Sequence, residues 1–190
     1  MIHFVGAGSG APDLITVRGK KYLEEADVVI YAGSLVNPKL LEYTKDICTI
    51  YNSAKMTLEE VLSVMEKAEA AGKTTVRLHT GDPCIYGAIR EQMDVLDEKG
   101  IAYDYCPGVS AFCGAASALN LEYTLPDISQ SVIITRMEGR TPVPPRNSNS
   151  VLCCSSGNHG CFSQHRNAGR TEQKTDRRRL YGRYSCCDCV

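Results

Sequence analysis

The sequence predicts an α/β fold with a largely parallel sheet flanked by helices, and three observations lead to it. Over residues 1–144, short apolar runs alternate with longer stretches of helical periodicity. Glycine- or proline-rich turns follow three of the runs, at Gly6–Pro12, Thr80–Pro83 and Pro107–Ser110. A capping-box pattern, Thr57-Leu58-Glu59-Glu60, opens one of the helical stretches. There a hydroxyl and a carboxylate satisfy amides that a helix start leaves free. Strand alternating with helix implies crossover connections, which make neighbouring strands run the same way.

In chain order, Ile2–Val5 reads as a strand, Gly6–Pro12 as a turn and Thr16–Ala26 as a helix. Asp27–Tyr31 is a second strand, Asn37-Pro38 opens a helix to about Lys45, and Ile47–Tyr51 is a third strand. The capping-box helix carries Leu58, Val61, Leu62, Met65 and Ala68 at helical spacing and stops at Gly72. Thr74–Leu78 is a fourth strand, and a helix is expected from about Tyr86 to Glu98, closed by Gly100. Ile101–Tyr105 is a fifth strand, a small-residue helix follows through Leu119, and Ser129–Thr135 reads as a sixth strand. In such sheets, ligands sit outside the carboxyl ends of the strands, which is where the three turns fall.

Composition limits the partners. The 190-residue chain is 43% hydrophobic and carries a net charge of −1. Residues 1–150 hold 14 Lys+Arg against 19 Asp+Glu, so a weakly acidic body argues against nucleic acid. No apolar run reaches the roughly 18 residues that a membrane span needs. The N-terminus, Met1-Ile2-His3-Phe4-Val5, enters a strand directly instead of a signal peptide. Cys48, Cys84, Cys106 and Cys113 are scattered singly, as expected of reduced thiols in a cytoplasmic protein.

From about Arg146 the rhythm stops. Residues 151–190 hold 7 Lys+Arg against 3 Asp+Glu and six of the ten cysteines, with runs such as Cys153-Cys154-Ser155-Ser156 and Arg177-Arg178-Arg179. Its few large apolar residues, such as Val151, Leu152, Phe162 and Leu180, cannot offset the entropy of ordering forty residues. Cys186-x-x-Cys189 with His159, Cys161 and His165 offers ligand types for zinc, but the spacings are irregular and no metal site is assigned. A disulfide cluster would conflict with the reduced body. An abrupt compositional change without a stop is the expected symptom of a shifted reading frame near residues 145–150.

Each turn has two readings. Gly6-x-Gly8-x-Gly10 suits either a tight strand-to-helix turn or close approach of a ligand to backbone. It has one residue before the third glycine, where a dinucleotide cradle needs two. Asp82, in Thr80-Gly81-Asp82-Pro83, could cap the next helix or accept hydrogen bonds from an amino group or ribose hydroxyls. Ser110 could cap its helix or touch a ligand. Arg136 and Arg140 could bind a carboxylate in bidentate fashion or pair with Glu138 on the surface.

Taken together, four stretches resemble the tetrapyrrole methylase family over about residues 1–144. They are Val5-Gly6-Ala7-Gly8-Ser9-Gly10-Ala11-Pro12 with Asp13–Gly19, Ala26–Tyr31, Thr80–Gly87 and Pro107–Ala111. Tyr31-Ala32-Gly33-Ser34-Leu35-Val36, Asn52-Ser53-Ala54, Leu78–Pro83 and Thr135–Pro142 resemble its precorrin-4 and cobalt-precorrin-4 branch, which methylates ring carbon 11 in cobalamin biosynthesis. Uroporphyrinogen methyltransferases usually have an aspartate where this chain has Ala32.

The resemblance implies an S-adenosylmethionine-dependent C-methyltransferase in the cytoplasm, homodimeric, with a corrin precursor as substrate and no nucleic-acid or membrane partner. It implies cofactor contacts at Ser9, Thr80, Gly81, Asp82, Ile85, Ser110 and Ala111. Ser9 stands where many relatives have proline. Gly8 and Gly10 would face the tetrapyrrole or the reactive end of the cofactor. Arg18, Arg136 and Arg140 are candidates to anchor substrate carboxylates, and no residue is assigned as a catalytic base. The implied domains are 1–126, an N-terminal α/β methylase domain; 127–145, the start of a second α/β domain; and 146–190, an aberrant tail expected to be disordered. The second domain would be missing or disrupted, leaving half of the cofactor cleft. The alternatives are another corrin-pathway ring methyltransferase or a non-catalytic nucleotide-binding remnant.

Overall fold

Five short strands of the computed structural model line up side by side in one parallel sheet. The structure describes residues 1–127, 130–136, 144 and 160–164. The strands are β1 (Ile2–Gly6), β2 (Val28–Tyr31), β3 (Thr49–Asn52), β4 (Thr75–His79) and β5 (Tyr103–Cys106), in the order β3-β2-β4-β1-β5. All four pairings are parallel, so every strand ends at the same rim. The helices are α1 (Val17–Glu25), α2 (Leu58–Ala70), α3 (Arg90–Glu98) and α4 (Ala111–Leu119).

The apolar strands are hidden on both faces, which is why they read as nearly unbroken runs in the sequence. One face buries Val5, Val29, Val76 and Leu78 with Leu23 of α1 and Leu40. The other buries Ile2, Phe4, Val28 and Ile30 with Val61, Leu62 and Met65 of α2 and Leu96 of α3. Thr16 caps α1 by accepting a hydrogen bond from the Gly19 amide. Thr57 and Glu60 form the expected capping box at α2.

Two expected helices take other forms. Pro38–Tyr43 coils as a 3-10 segment, opened by Asn37, whose side chain accepts from the Lys39 amide. The helix expected from about Tyr86 begins only at Arg90. Tyr86 and Ala88 adopt φ values of 57° and 50°, and left-handed residues cannot continue a right-handed helix.

The chain divides after Leu119 into two units. In the second, β6 (Val132–Arg136) pairs in parallel with β7 (Gly160–Gln164), in register from Val132 opposite Gly160 to Arg136 opposite Gln164. β7 thus draws five residues from the segment read as an aberrant tail, Cys161 among them. Arg140, Glu138, His159, His165, Cys186 and Cys189 lie outside the described residues.

Candidate functional site

β4, β1 and β5 are neighbours in the sheet, so the loops after them meet at one rim. Their fastening is mostly backbone to backbone. The Ala7 amide donates to the His79 carbonyl at 2.7 Å. Gly8 and Gly81 exchange two hydrogen bonds, Gly8 N–H to Gly81 O at 3.2 Å and Gly81 N–H to Gly8 O at 2.8 Å, forming an isolated antiparallel bridge. The first and third loops press together at Gly6 and Gly108. A Cβ on Gly6 would stand 2.6 Å from the Gly108 Cα and 2.6 Å from the Gly81 carbonyl oxygen. A Cβ on Gly108 would stand 2.3 Å from that same oxygen. Only glycine allows three backbones this close.

Asp82 clasps the second loop to the third. Its Oδ2 accepts from the Gly108 amide at 3.2 Å, and its Oδ1 accepts from the Cys84 amide at 2.9 Å and from the Tyr105 hydroxyl. The carboxylate also lifts the neighbouring Cys84 thiol above its ordinary range. Both sequence readings of Asp82, helix cap or ligand acceptor, therefore omit its main neighbours. It caps the turn at Cys84, well before α3 begins.

Gly81 adopts φ 59°, a left-handed conformation that L side chains rarely take. A Cβ there would reach 3.6 Å from the Ser110 Cα and 3.6 Å from the Ala111 amide nitrogen. Gly81 thus lies within van der Waals reach of Ser110 and Ala111, and its bridge to Gly8 sets all three loops side by side, with Thr80 and Asp82 flanking it in the chain. Ile85 closes the turn behind them, its amide donating to the Asp82 carbonyl at 3.1 Å. Gly10 is exposed, with open space where a side chain would be.

Of the proposed anion anchors, Arg18 is exposed on the first turn of α1, and its charge is felt by the Tyr22 phenol. Arg136 ends β6 in the second unit, and Arg140 falls outside the described residues.

Sequence reading missed two buried groups behind the rim. Arg77 lies within β4, donating from Nε to Gln92 Oε1 and from a terminal nitrogen to the Ile30 carbonyl, each at 3.1 Å. Burial lowers its guanidinium to about 10. His79, the last residue of β4, is pushed down to about 3, first by burial and then by the Arg77 charge. Its imidazole is therefore neutral at physiological pH. Its Nε2 is buried without a hydrogen-bond partner among the described residues. His79 lies within the Leu78–Pro83 stretch, where the resemblance implies no role for it, and for Arg77 a charged position inside an apolar strand is the available signal. Among the described residues, no cluster of His, Cys, Asp and Glu could hold a metal ion.

The chain matches the family model of the Tetrapyrrole (Corrin/Porphyrin) Methylases over residues 1–156. It is 62% identical over 145 residues to a cobalt-precorrin-4 C(11)-methyltransferase of Methanocaldococcus jannaschii, covering 76% of this chain and 56% of that protein. It is 49% identical over 143 residues to the protein of that name from Priestia megaterium, covering 75% and 55%. The chain thus spans little more than half the length of these relatives. Among solved structures, a cobalt precorrin-4 methyltransferase, titled a cobalamin biosynthetic enzyme, superposes with a TM-score of 0.77 at 47% identity, covering 80% of this chain and 64% of that one. A uroporphyrin-III C-methyltransferase from Thermus thermophilus, complexed with S-adenosyl homocysteine, superposes with a TM-score of 0.61 at 26% identity, covering 78% and 61%. Parallel sheet, converging loops and sequence all agree: the chain belongs to the tetrapyrrole methylase family.

Proposed function

We propose that this chain carries the N-terminal part of an S-adenosylmethionine-dependent C-methyltransferase acting on precorrin-4 or cobalt-precorrin-4 at ring carbon 11 in cobalamin biosynthesis. The observation that carries the reading is the meeting of three glycine-lined loops at one rim of the sheet. Gly81 brings its backbone beside that of Ser110 and Ala111, so backbone groups of two loops stand together where a ligand could reach them. Thr80, Gly81, Ile85, Ser110, Ala111 and Ser9 would hold the cofactor, with Asp82 fixing the loops that present them. The cofactor supplies a methyl group already activated on a sulfonium.

What remains for the protein is to hold two reactants in line, so positioning is the main catalytic contribution. Gly10 is exposed and has no side chain, so a flat macrocycle could approach the first loop there, with Gly8 behind it holding the loop to Gly81. Arg18, Arg136 and Arg140 would anchor its carboxylates through bidentate hydrogen bonds. The cytoplasmic location and homodimeric state expected of the family go with this reading. No described helix is long and apolar enough to cross a membrane.

The branch assignment is supported by the higher identity to the cobalt-precorrin-4 proteins, 62% and 49%, than to a Bacillus subtilis uroporphyrinogen-III C-methyltransferase at 36%. The test is methyl transfer from labelled S-adenosylmethionine to precorrin-4, cobalt-precorrin-4 and uroporphyrinogen III. Label at carbon 11 of a precorrin-4 substrate is the expected product. Transfer only to uroporphyrinogen III would overturn the branch.

A second reading, a nucleotide-binding remnant without turnover, is favoured by the loss of the strand-and-helix rhythm after about residue 145. It predicts cofactor binding with no product. The break in composition near residues 145–150 is explained by a shifted reading frame. If so, the DNA across codons 140–160 should encode an α/β continuation in another frame. A second frame without such a continuation would refute that origin.

A further inference from the structure

Helix formation does not explain the glycine at position 114. α4 reads Ala-Phe-Cys-Gly-Ala-Ala-Ser-Ala-Leu, and glycine is a much poorer helix former than the alanines around it. Its neighbour across the rim supplies a reason. A Cβ built on Gly114 would lie 2.3 Å from the Ser9 Oγ and 2.4 Å from the Ser9 Cβ. Swinging the hydroxyl away would leave the Cβ contact in place, because Cβ is fixed to the backbone. The first loop itself would have to move. Ser9 directly follows Gly8, which forms the bridge to Gly81.

We infer that Gly114 is a positioning residue: it makes a notch in α4 that seats Ser9 and so sets where the first loop meets the second. The notch stands on this contact geometry. Its consequence for ligand binding rests on the function proposed above.

The experiment uses the full chain with Gly114→Ala, Ser9→Gly and the double variant. Amide hydrogen exchange is read at Gly8 and Gly81. Gly114→Ala should speed exchange at both by at least about tenfold, while helix content by circular dichroism holds or rises. The double variant should behave as Ser9→Gly alone, because removing the Ser9 side chain removes the clash. Parental protection in Gly114→Ala would overturn the inference, as would a double variant as unprotected as Gly114→Ala. Should Gly114→Ala fail to fold, a folded double variant supports the notch and an unfolded one refutes it.

S-adenosylhomocysteine titrated into the same proteins gives the ligand arm. Gly114→Ala should bind at least about tenfold more weakly than the parent, and the double variant should match Ser9→Gly. A parent that binds with no loss in Gly114→Ala would overturn the inference. A parent that does not bind counts against cofactor binding by this chain alone, and the exchange data then decide the notch.

Discussion

At the carboxyl ends of β1, β4 and β5 the chain is fastened backbone to backbone, through the Gly8–Gly81 bridge and the contact of Gly6 with Gly108. At the amino ends of the same strands, side-chain pairs reinforce backbone bonds such as Thr75 N–H to the Met1 carbonyl at 3.0 Å. His3 Nδ1 meets Asp104 Oδ1 at 2.6 Å, and the Tyr22 hydroxyl donates to Asp104 Oδ2 at 2.7 Å. The rings of His3 and Tyr22 stack 3.9 Å apart. Asp27 accepts from the Thr74 amide at 3.0 Å and from Lys45 Nζ at 3.1 Å, and the N-terminal amine pairs with Glu69. One end of the sheet thus satisfies its polar groups with its own side chains. The other brings glycine backbones from three loops into contact, with the Asp82 carboxylate as its clasp. On the function proposed above, that difference separates a ligand rim from a structural one, even though both ends hold a well-placed carboxylate.

The comparison breaks most sharply at Gly108. Gly108→Ala places a Cβ against the backbone of two other loops, with no flexible side chain to give way. It should destabilise the chain by about 3 kcal/mol in denaturant titration, at the upper end of overpacking effects. A loss under about 1 kcal/mol would mean that the loops tolerate separation.

The next largest effect is a pH dependence from His79, which is buried with Arg77 behind the glycine-lined rim. Its imidazole titrates near 3 when folded and near 6.5 when exposed. Between those values the unfolded chain takes a proton that the folded chain refuses. Stability is therefore full above about pH 6.5 and falls as the pH drops, by up to about 1.4 kcal/mol per pH unit. Measured from pH 6.5 to 5, where ordinary carboxylates contribute least, His79→Gln should flatten this slope. An unchanged slope would mean that His79 is solvated in the folded chain.

The smallest effects give the most direct contrast. Tyr105→Phe and Tyr22→Phe each remove one hydroxyl from a carboxylate, Asp82 at one end and Asp104 at the other. Each should cost about 1 kcal/mol of stability. Only Tyr105→Phe should also weaken S-adenosylhomocysteine binding, by a few-fold, because only Asp82 ties ligand loops together. Equal effects on binding would dissolve the distinction between the two ends.

Much of this was legible in sequence because it is local. Apolar runs such as Val28–Tyr31 announced doubly buried strands, and the glycines announced loops stripped of side chains. The illegible parts depend on distant partners. Nothing near Tyr105 foretells that its hydroxyl reaches Asp82. Nothing in Leu78-His79-Thr80 says that Arg77 and burial keep the imidazole neutral. The late start of α3 had no signal either, since Tyr86 and Ala88 are ordinary residues in left-handed backbone. The composition break near Arg146 was plain, yet it did not foretell that Gly160–Gln164 would pair with β6.

The central claim, that this glycine-lined rim is one part of an S-adenosylmethionine cleft completed by further chain, meets its most direct test in calorimetry. S-adenosylhomocysteine is titrated into this chain and into a chimera whose residues 146–190 are replaced by the matching C-terminal part of the Methanocaldococcus jannaschii relative. The account predicts clear binding by the chimera and much weaker binding by the chain itself. Equal affinity would show that the cleft needs no completion, and a folded chimera that does not bind would contradict the assignment of the rim.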